Sequence, residues 1–112
     1  MEKRYIDYQE INLKPFLLSV DLPEENIRVG NALFLVSGKK AILWHIFVKK
    51  EYRKKGFASN LIVGAKQIFD EIVTDWETQE GHDLCIKNGF KSRKTDELRL
   101  VWKKGEDNNK KD

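Results

Sequence analysis

Between an apolar run ending at Val48 and another starting near Ala58, the chain reads KKEYRKKGFA, a basic segment interrupted by a single glycine. From Lys39 to Lys55, seven basic side chains (Lys39, Lys40, Lys49, Lys50, Arg53, Lys54 and Lys55) meet one acid, Glu51. The positive field is therefore concentrated in a chain whose total charge is only +3. A helix N-terminus offers unpaired N–H groups and a partial positive charge, and a glycine there lets a phosphate approach the main chain. Gly56, with Arg53, Lys54 and Lys55 beside it, thus predicts a site for a di- or triphosphate ligand. A charge run can also be plain solvated surface, but the glycine falls at a strand-to-helix junction, where phosphate chemistry needs it.

The elements that must position this turn follow from periodicity. Val29 to Val36 and Ala41 to Val48 are rich in β-branched and aromatic residues and flank SGKK around Gly38, which predicts an antiparallel hairpin. Both runs are apolar at nearly every position, as in a sheet covered on both faces. Phe16 to Val20 reads as a further strand. Ala58 to Ile72 carries Leu61, Ile62, Ala65, Ile68, Phe69 and Ile72 at spacings of three and four, the pattern of an amphipathic helix. A short strand at Val73 to Trp76 follows, then a brief helix near His82 to Asn88 capped by Gly89, then a strand at Leu98 to Trp102. The expected fold class is a mixed α/β domain.

With 112 residues, 40% hydrophobic and 11% aromatic, the chain suits one domain with its own core and is too apolar for a disordered class. Residues 1–104 are expected to form that domain, and residues 105–112 (GEDNNKKD), which lack any apolar side chain, a solvated tail. A lone cysteine rules out an internal disulfide, and one cysteine with two distant histidines does not make a zinc site, so no metal is expected. No apolar run approaches the roughly 20 residues needed to cross a bilayer. The opening MEKRYIDYQE lacks a signal-peptide apolar stretch, so the expected location is cytoplasmic, without a membrane partner.

Arg53, Gly56 and Ala58 form RxxGxA directly after a strand and opening a helix. This resembles the (Q/R)xxGx(G/A) coenzyme A signature of the GNAT superfamily of N-acetyltransferases, and Asn88-Gly89-Phe90 stands where such chains end a YxxxGF motif. The resemblance spans Val29 to Trp102. It implies a splayed mixed sheet flanked by helices and an acyl donor, acetyl-coenzyme A. The pyrophosphate would lie on the amides of Lys54, Lys55, Gly56, Phe57, Ala58 and Ser59, with Arg53 opening the motif. The pantetheine arm would pair with Ile46, Phe47 and Val48, as an added strand satisfies unpaired main-chain groups.

Two departures from that pattern matter. The strand and two helices that usually wall the acceptor site have little room before Val29, so the acceptor side is expected to be open, suited to a protein amine or to completion by a second subunit or protein partner. The tyrosine that protonates the departing thiolate in many GNAT enzymes is replaced by Cys85; a thiol is a conceivable acid, but packing beside Leu84 is the expected role. The asparagine often found earlier in that region is Thr78. For the general base, the resemblance points to Glu77 and Asp75, and His45 lies on the coenzyme-binding strand, although a histidine among Trp44, Ile46 and Phe47 also reads as a core residue. His82 reads as a surface residue at a helix start.

The expected function is therefore acyl transfer from acetyl-coenzyme A to a primary amine of a protein, peptide or small molecule, by direct attack. A non-catalytic module on the same fold, binding coenzyme A or a protein, is the alternative. Nucleic-acid binding through the basic stretch with Tyr52 and Trp44 explains the charge but not the glycine junction inside it, and is not expected.

Overall fold

The computed structural model describes residues 13–75, 78–93 and 96–106. Their elements run β1 (Lys14–Leu22), β2 (Ile27–Ser37), β3 (Lys40–Val48), α1 (Phe57–Ile68), β4 (Glu71–Asp75), α2 (Gln79–Lys87), β5 (Lys91–Arg93) and β6 (Asp96–Lys103), with a 3-10 turn at Lys50–Tyr52 before α1. The strands form one six-stranded sheet in the order β1-β2-β3-β4-β6-β5. Only β3 and β4 are parallel neighbours; the other pairs are antiparallel. This is the mixed α/β architecture expected from the sequence.

The hairpin forms as its punctuation demands. Ser37 pairs with Lys40 across the loop Gly38–Lys39, and Gly38 takes φ +62° at the first loop position. That left-handed turn matches the twist of the flanking strands, and glycine adopts it without strain. β1 joins β2 through the turn at residues 23–26, where the backbone of Glu25 and Asn26 donates to Leu22 and Pro23. No helix intervenes between these strands.

The helix boundary differs from its periodicity. α1 stops at Ile68, Phe69 is extended (φ −110°, ψ 155°), and Ile72 belongs to β4 rather than to the helix. The main-chain N–H groups of Asp70 and Glu71 both donate to the Lys39 carbonyl, which starts the parallel pairing with β3. Phe69 and Ile72 continue the helical spacing because they fill the same core, so the sequence pattern could not mark the break. α2 likewise begins three residues earlier than expected, at Gln79, and places His82 inside the helix. The short strand β5 had no sequence signal of its own.

α1 and α2 share one core with the sheet: Leu61, Ile62 and Ala65 meet Phe34, Leu43, Ile72, Leu100, Trp102, Cys85 and Phe90. Phe69 stacks edge-on with Phe16 and tilted against Phe34. The expectation of strands covered on both faces needs correction. Consecutive burial in β3 holds from Ala41 to Leu43, but Trp44, His45 and Phe47 are exposed.

Candidate functional site

The change in β3 coincides with a split in the sheet. β3 pairs with β4 only from Lys40 to Ile42, opposite Glu71 to Val73. Just beyond, the buried Thr74 hydroxyl donates to the Leu43 carbonyl at 2.9 Å and closes the seam. The β2–β3 register then shifts from Phe34↔Leu43 to Leu33↔His45, leaving Trp44 as the extra residue of a bulge. A bulge bends and twists its strand, and this one lies where β3 leaves β4. From there to Val48, among the described residues, β3 is paired with β2 alone.

The open edge presents main-chain groups. The Lys49 N–H donates to the Val29 carbonyl at 2.8 Å, on the β2 side. Since successive residues of a strand point their N–H and C=O to opposite sides, those of Val48 and Ile46 face the split. The Val48 carbonyl is engaged there: Arg53 Nε donates to it at 2.8 Å.

After the 3-10 turn the backbone enters the left-handed region twice, at Lys54 (φ 63°) and at Gly56 (φ 91°), with Gly56 as N-cap of α1. Glycine bears that φ without the penalty of a Cβ, whereas Lys54 does carry one. No side chain caps α1, and the first helical bond runs from Asn60 N–H to the Gly56 carbonyl. The amides of the first turn are thus left for an external acceptor. A Cβ built on Gly56 would meet nothing within 4 Å, so this position opens to space rather than to packing.

α2 forms the other wall. The Thr78 hydroxyl caps it, accepting from the Gly81 N–H at 3.1 Å. At its far end Asn88 is the C-cap and Gly89 follows at φ 91°, while Phe90 N–H donates to the Cys85 carbonyl and Gly89 N–H to that of Ile86, each at 3.0 Å. This 6→1 and 5→2 pair is a Schellman motif, the physical reason for glycine followed by a buried apolar residue here. The Asn88 amide donates to Ser59 Oγ at 3.1 Å and to the Leu84 carbonyl at 2.9 Å, tying the end of α2 to the first turn of α1. Lys66, whose ammonium lies 5.1 Å from the Trp102 ring centre, donates to the Asn88 carbonyl and braces the same joint.

Between these walls lies a cleft of about 670 Å³. Ile46, Phe47 and Val48 line one side, Arg53, Lys54, Gly56, Phe57, Ala58 and Ser59 one end, and Thr78, Gly81, Leu84 and Lys87 the other side. Of the residues expected to bind coenzyme, Lys55 alone does not line it. Tyr52, which packs edge-on to Phe57 at 6.2 Å, reads in the sequence only as a stacking group for nucleic acid, and Gly81 and Lys87 of α2 lacked a signal, because α2 reaches the cleft only through tertiary packing. The basic stretch also divides. Arg53 and Lys54 face the cleft, whereas Lys39 Nζ donates to the Ile68 carbonyl at the end of α1 and Lys40 lies 3.8 Å from Glu71.

Among the described residues, none of the candidates Cys85, Asp75 and His45 lines the cleft. Cys85 is fully buried in the core and does not line the cleft. Asp75 is buried at the end of β4, its Oδ1 3.7 Å from Arg99 Nε. His45 is exposed and is not among the cleft residues, so neither a core role nor contact with the cleft describes it. Glu77 lies outside the described residues, as do Trp76 and most of the expected tail.

No protein-family model and no curated protein matches the chain by sequence. Solved structures do match it by shape. The PaiA N-acetyltransferase from Thermoplasma acidophilum, in complex with coenzyme A, superposes with TM-score 0.65 at 24% identity over 80% of this chain and 60% of that one. An acetyltransferase of the GNAT family from Staphylococcus aureus gives TM-score 0.63 at 18% identity over 80% of this chain and 67% of its own. The anti-CRISPR protein AcrVA5 gives 0.58 at 14% identity, over 77% of this chain and 97% of AcrVA5. The chain thus spans about three fifths of the Thermoplasma enzyme and nearly all of AcrVA5. With its split mixed sheet, the chain has the GNAT acyltransferase fold.

Proposed function

We propose that the cleft binds coenzyme A thioesters and that the protein transfers the acyl group, acetyl in the first instance, to a primary amine. The observation that carries this reading is the coincidence of the sheet split with the left-handed Gly56 turn in one cleft. The uncapped amides at Phe57, Ala58 and Ser59 are suited to a pyrophosphate, and Lys54 adds positive charge. The Ile46 main chain and the Val48 N–H, open on the split side, are suited to the amides of pantetheine as an added strand. A ligand so laid carries its thioester toward the seam closed by Leu43 and Thr74. There a neutral amine attacks the carbonyl, the thiolate leaves, and the amine's proton passes to solvent or to a base. Asp75, Glu77 and His45 remain the proposed candidates for that base.

An open acceptor side, suited to a protein or peptide amine or to completion by a partner, is part of this proposal. A second reading, binding without catalysis, is favoured by one observation: Cys85 stands at the position of the family's acid yet is fully buried. Calorimetry with coenzyme A and a thiol-release assay with acetyl-coenzyme A on amines and peptides separate the two. Binding with turnover supports the enzyme, binding without turnover on the whole panel supports the module, and absence of binding removes both.

A further inference from the structure

Arg53 opens the basic triplet, and its charge alone suggests a phosphate ligand. Its geometry suggests otherwise. Nε donates to the Val48 carbonyl at 2.8 Å, across the turn that separates β3 from α1, and the guanidinium lies over the Phe47 ring at 5.7 Å from its centre. Both contacts are to the last residues of the half of β3 that faces the split. That half has no β4 partner to hold it, and a carbonyl left at the open edge would compete for the ligand's donors or for water. We propose that Arg53 is a positioning residue, a clasp that occupies the Val48 carbonyl and fastens the end of β3 to the Gly56 turn, so that strand and phosphate amides keep one spacing along the cleft. The clasp rests on the coenzyme A reading for its consequence in binding, but not for its existence.

The proposal separates a donor from a charge. Along the side chain, Gln Nε2 stands at the same number of bonds from the backbone as Arg Nε, so Arg53→Gln keeps the donor at the reach of the Val48 carbonyl while removing the charge. Arg53→Met keeps similar bulk and removes both. Coenzyme A affinity is measured by calorimetry for the wild type and both variants, with thermal melts to confirm folding. The expected result is that Arg53→Met weakens binding about tenfold or more while Arg53→Gln stays within about threefold. Equal weakening in Gln and Met would make Arg53 a phosphate contact and overturn the clasp; so would two variants that both bind as the wild type does.

A second measurement needs no ligand. In the apo protein, the Arg53 Nε–H resonance should be protected from solvent exchange relative to exposed arginine side chains, and should lose nothing on adding salt, because a short bond to a carbonyl is not a screened surface contact. Rapid exchange of that proton overturns the clasp. If the wild type binds no coenzyme A but the proton is protected, the functional reading fails and the clasp stands.

Discussion

The two halves of β3 are nine residues of one strand with opposite environments. From Lys40 to Leu43 it lies between β2 and β4, buried from Ala41 onward and sealed by Thr74; from Trp44 to Val48 it has β2 on one side and the split on the other. Sequence composition barely distinguishes them, since AIL and WHIFV are both strand-forming. The difference is made by what β4 does: its pairing with β3 stops after Val73 while it stays paired with β6, and the bulge at Trp44 turns β3 away. The first half is stabilised by ordinary burial, whereas the second is held by neighbours placed for the purpose, among them Gly30, Arg53 and the Gly56 turn. A fold can in this way keep a strand edge ready for a ligand without leaving it to pair with another chain.

The comparison breaks first where the sealed side depends on charge. Asp75→Ala leaves Arg99 part-buried beside an apolar gap, since the pair is 3.7 Å apart with side chains only 5% and 19% exposed. A loss of about 3 kcal/mol in unfolding free energy is expected by denaturant titration. A loss under about 1 kcal/mol would show that this pair is dispensable to the fold and favour Asp75 among the candidate bases.

On the open side, Gly30→Ala would put a Cβ 2.7 Å from the Phe47 carbonyl oxygen and 3.1 Å from the Val48 side chain, a contact that backbone must yield to. The expected cost is about 2 kcal/mol in stability, accompanied by weaker coenzyme A binding, because the displaced residues are those of the open edge. Unchanged binding at reduced stability would show that the edge tolerates displacement and that its spacing is not what the ligand reads.

Gly56→Asp acts on the ligand more than on the fold. Its Cβ has space, but a carboxylate would stand at a left-handed position beside uncapped amides and repel a pyrophosphate. Binding should fall well over tenfold, more than ~1.4 kcal/mol, as read by calorimetry. Equal affinity would place the phosphates elsewhere. Smallest is Cys85→Ala, a small cavity in the shared core, for which about 1 kcal/mol of stability is expected with turnover within a few-fold. A hundredfold loss of rate at normal coenzyme affinity would instead restore the thiol as a proton donor.

Some of this was legible in the residues themselves. Local chemistry determined the hairpin at Gly38, the helix that carries Leu61, Ile62 and Ala65, and the Asn88-Gly89-Phe90 stop, because a left-handed turn, an apolar stripe and a Schellman cap each depend on a few neighbouring side chains. The Gly56 turn was legible for the same reason, and with it nearly all the residues that end up at the Gly56 end of the cleft. What the tertiary structure decided was everything that depends on separated segments meeting. The end of α1 at Ile68 is set by the Lys39 carbonyl, the split of β3 from β4 by the reach of their pairing, and the second wall by α2 packing through Asn88 onto Ser59. The roles of charge and thiol fall in this class too. Arg53 reads as a cation in the sequence and acts on a carbonyl in the fold, and Cys85, a conceivable acid that the sequence expects to pack beside Leu84, is enclosed by the core, since burial and partners are properties of a neighbourhood that the chain assembles only when folded.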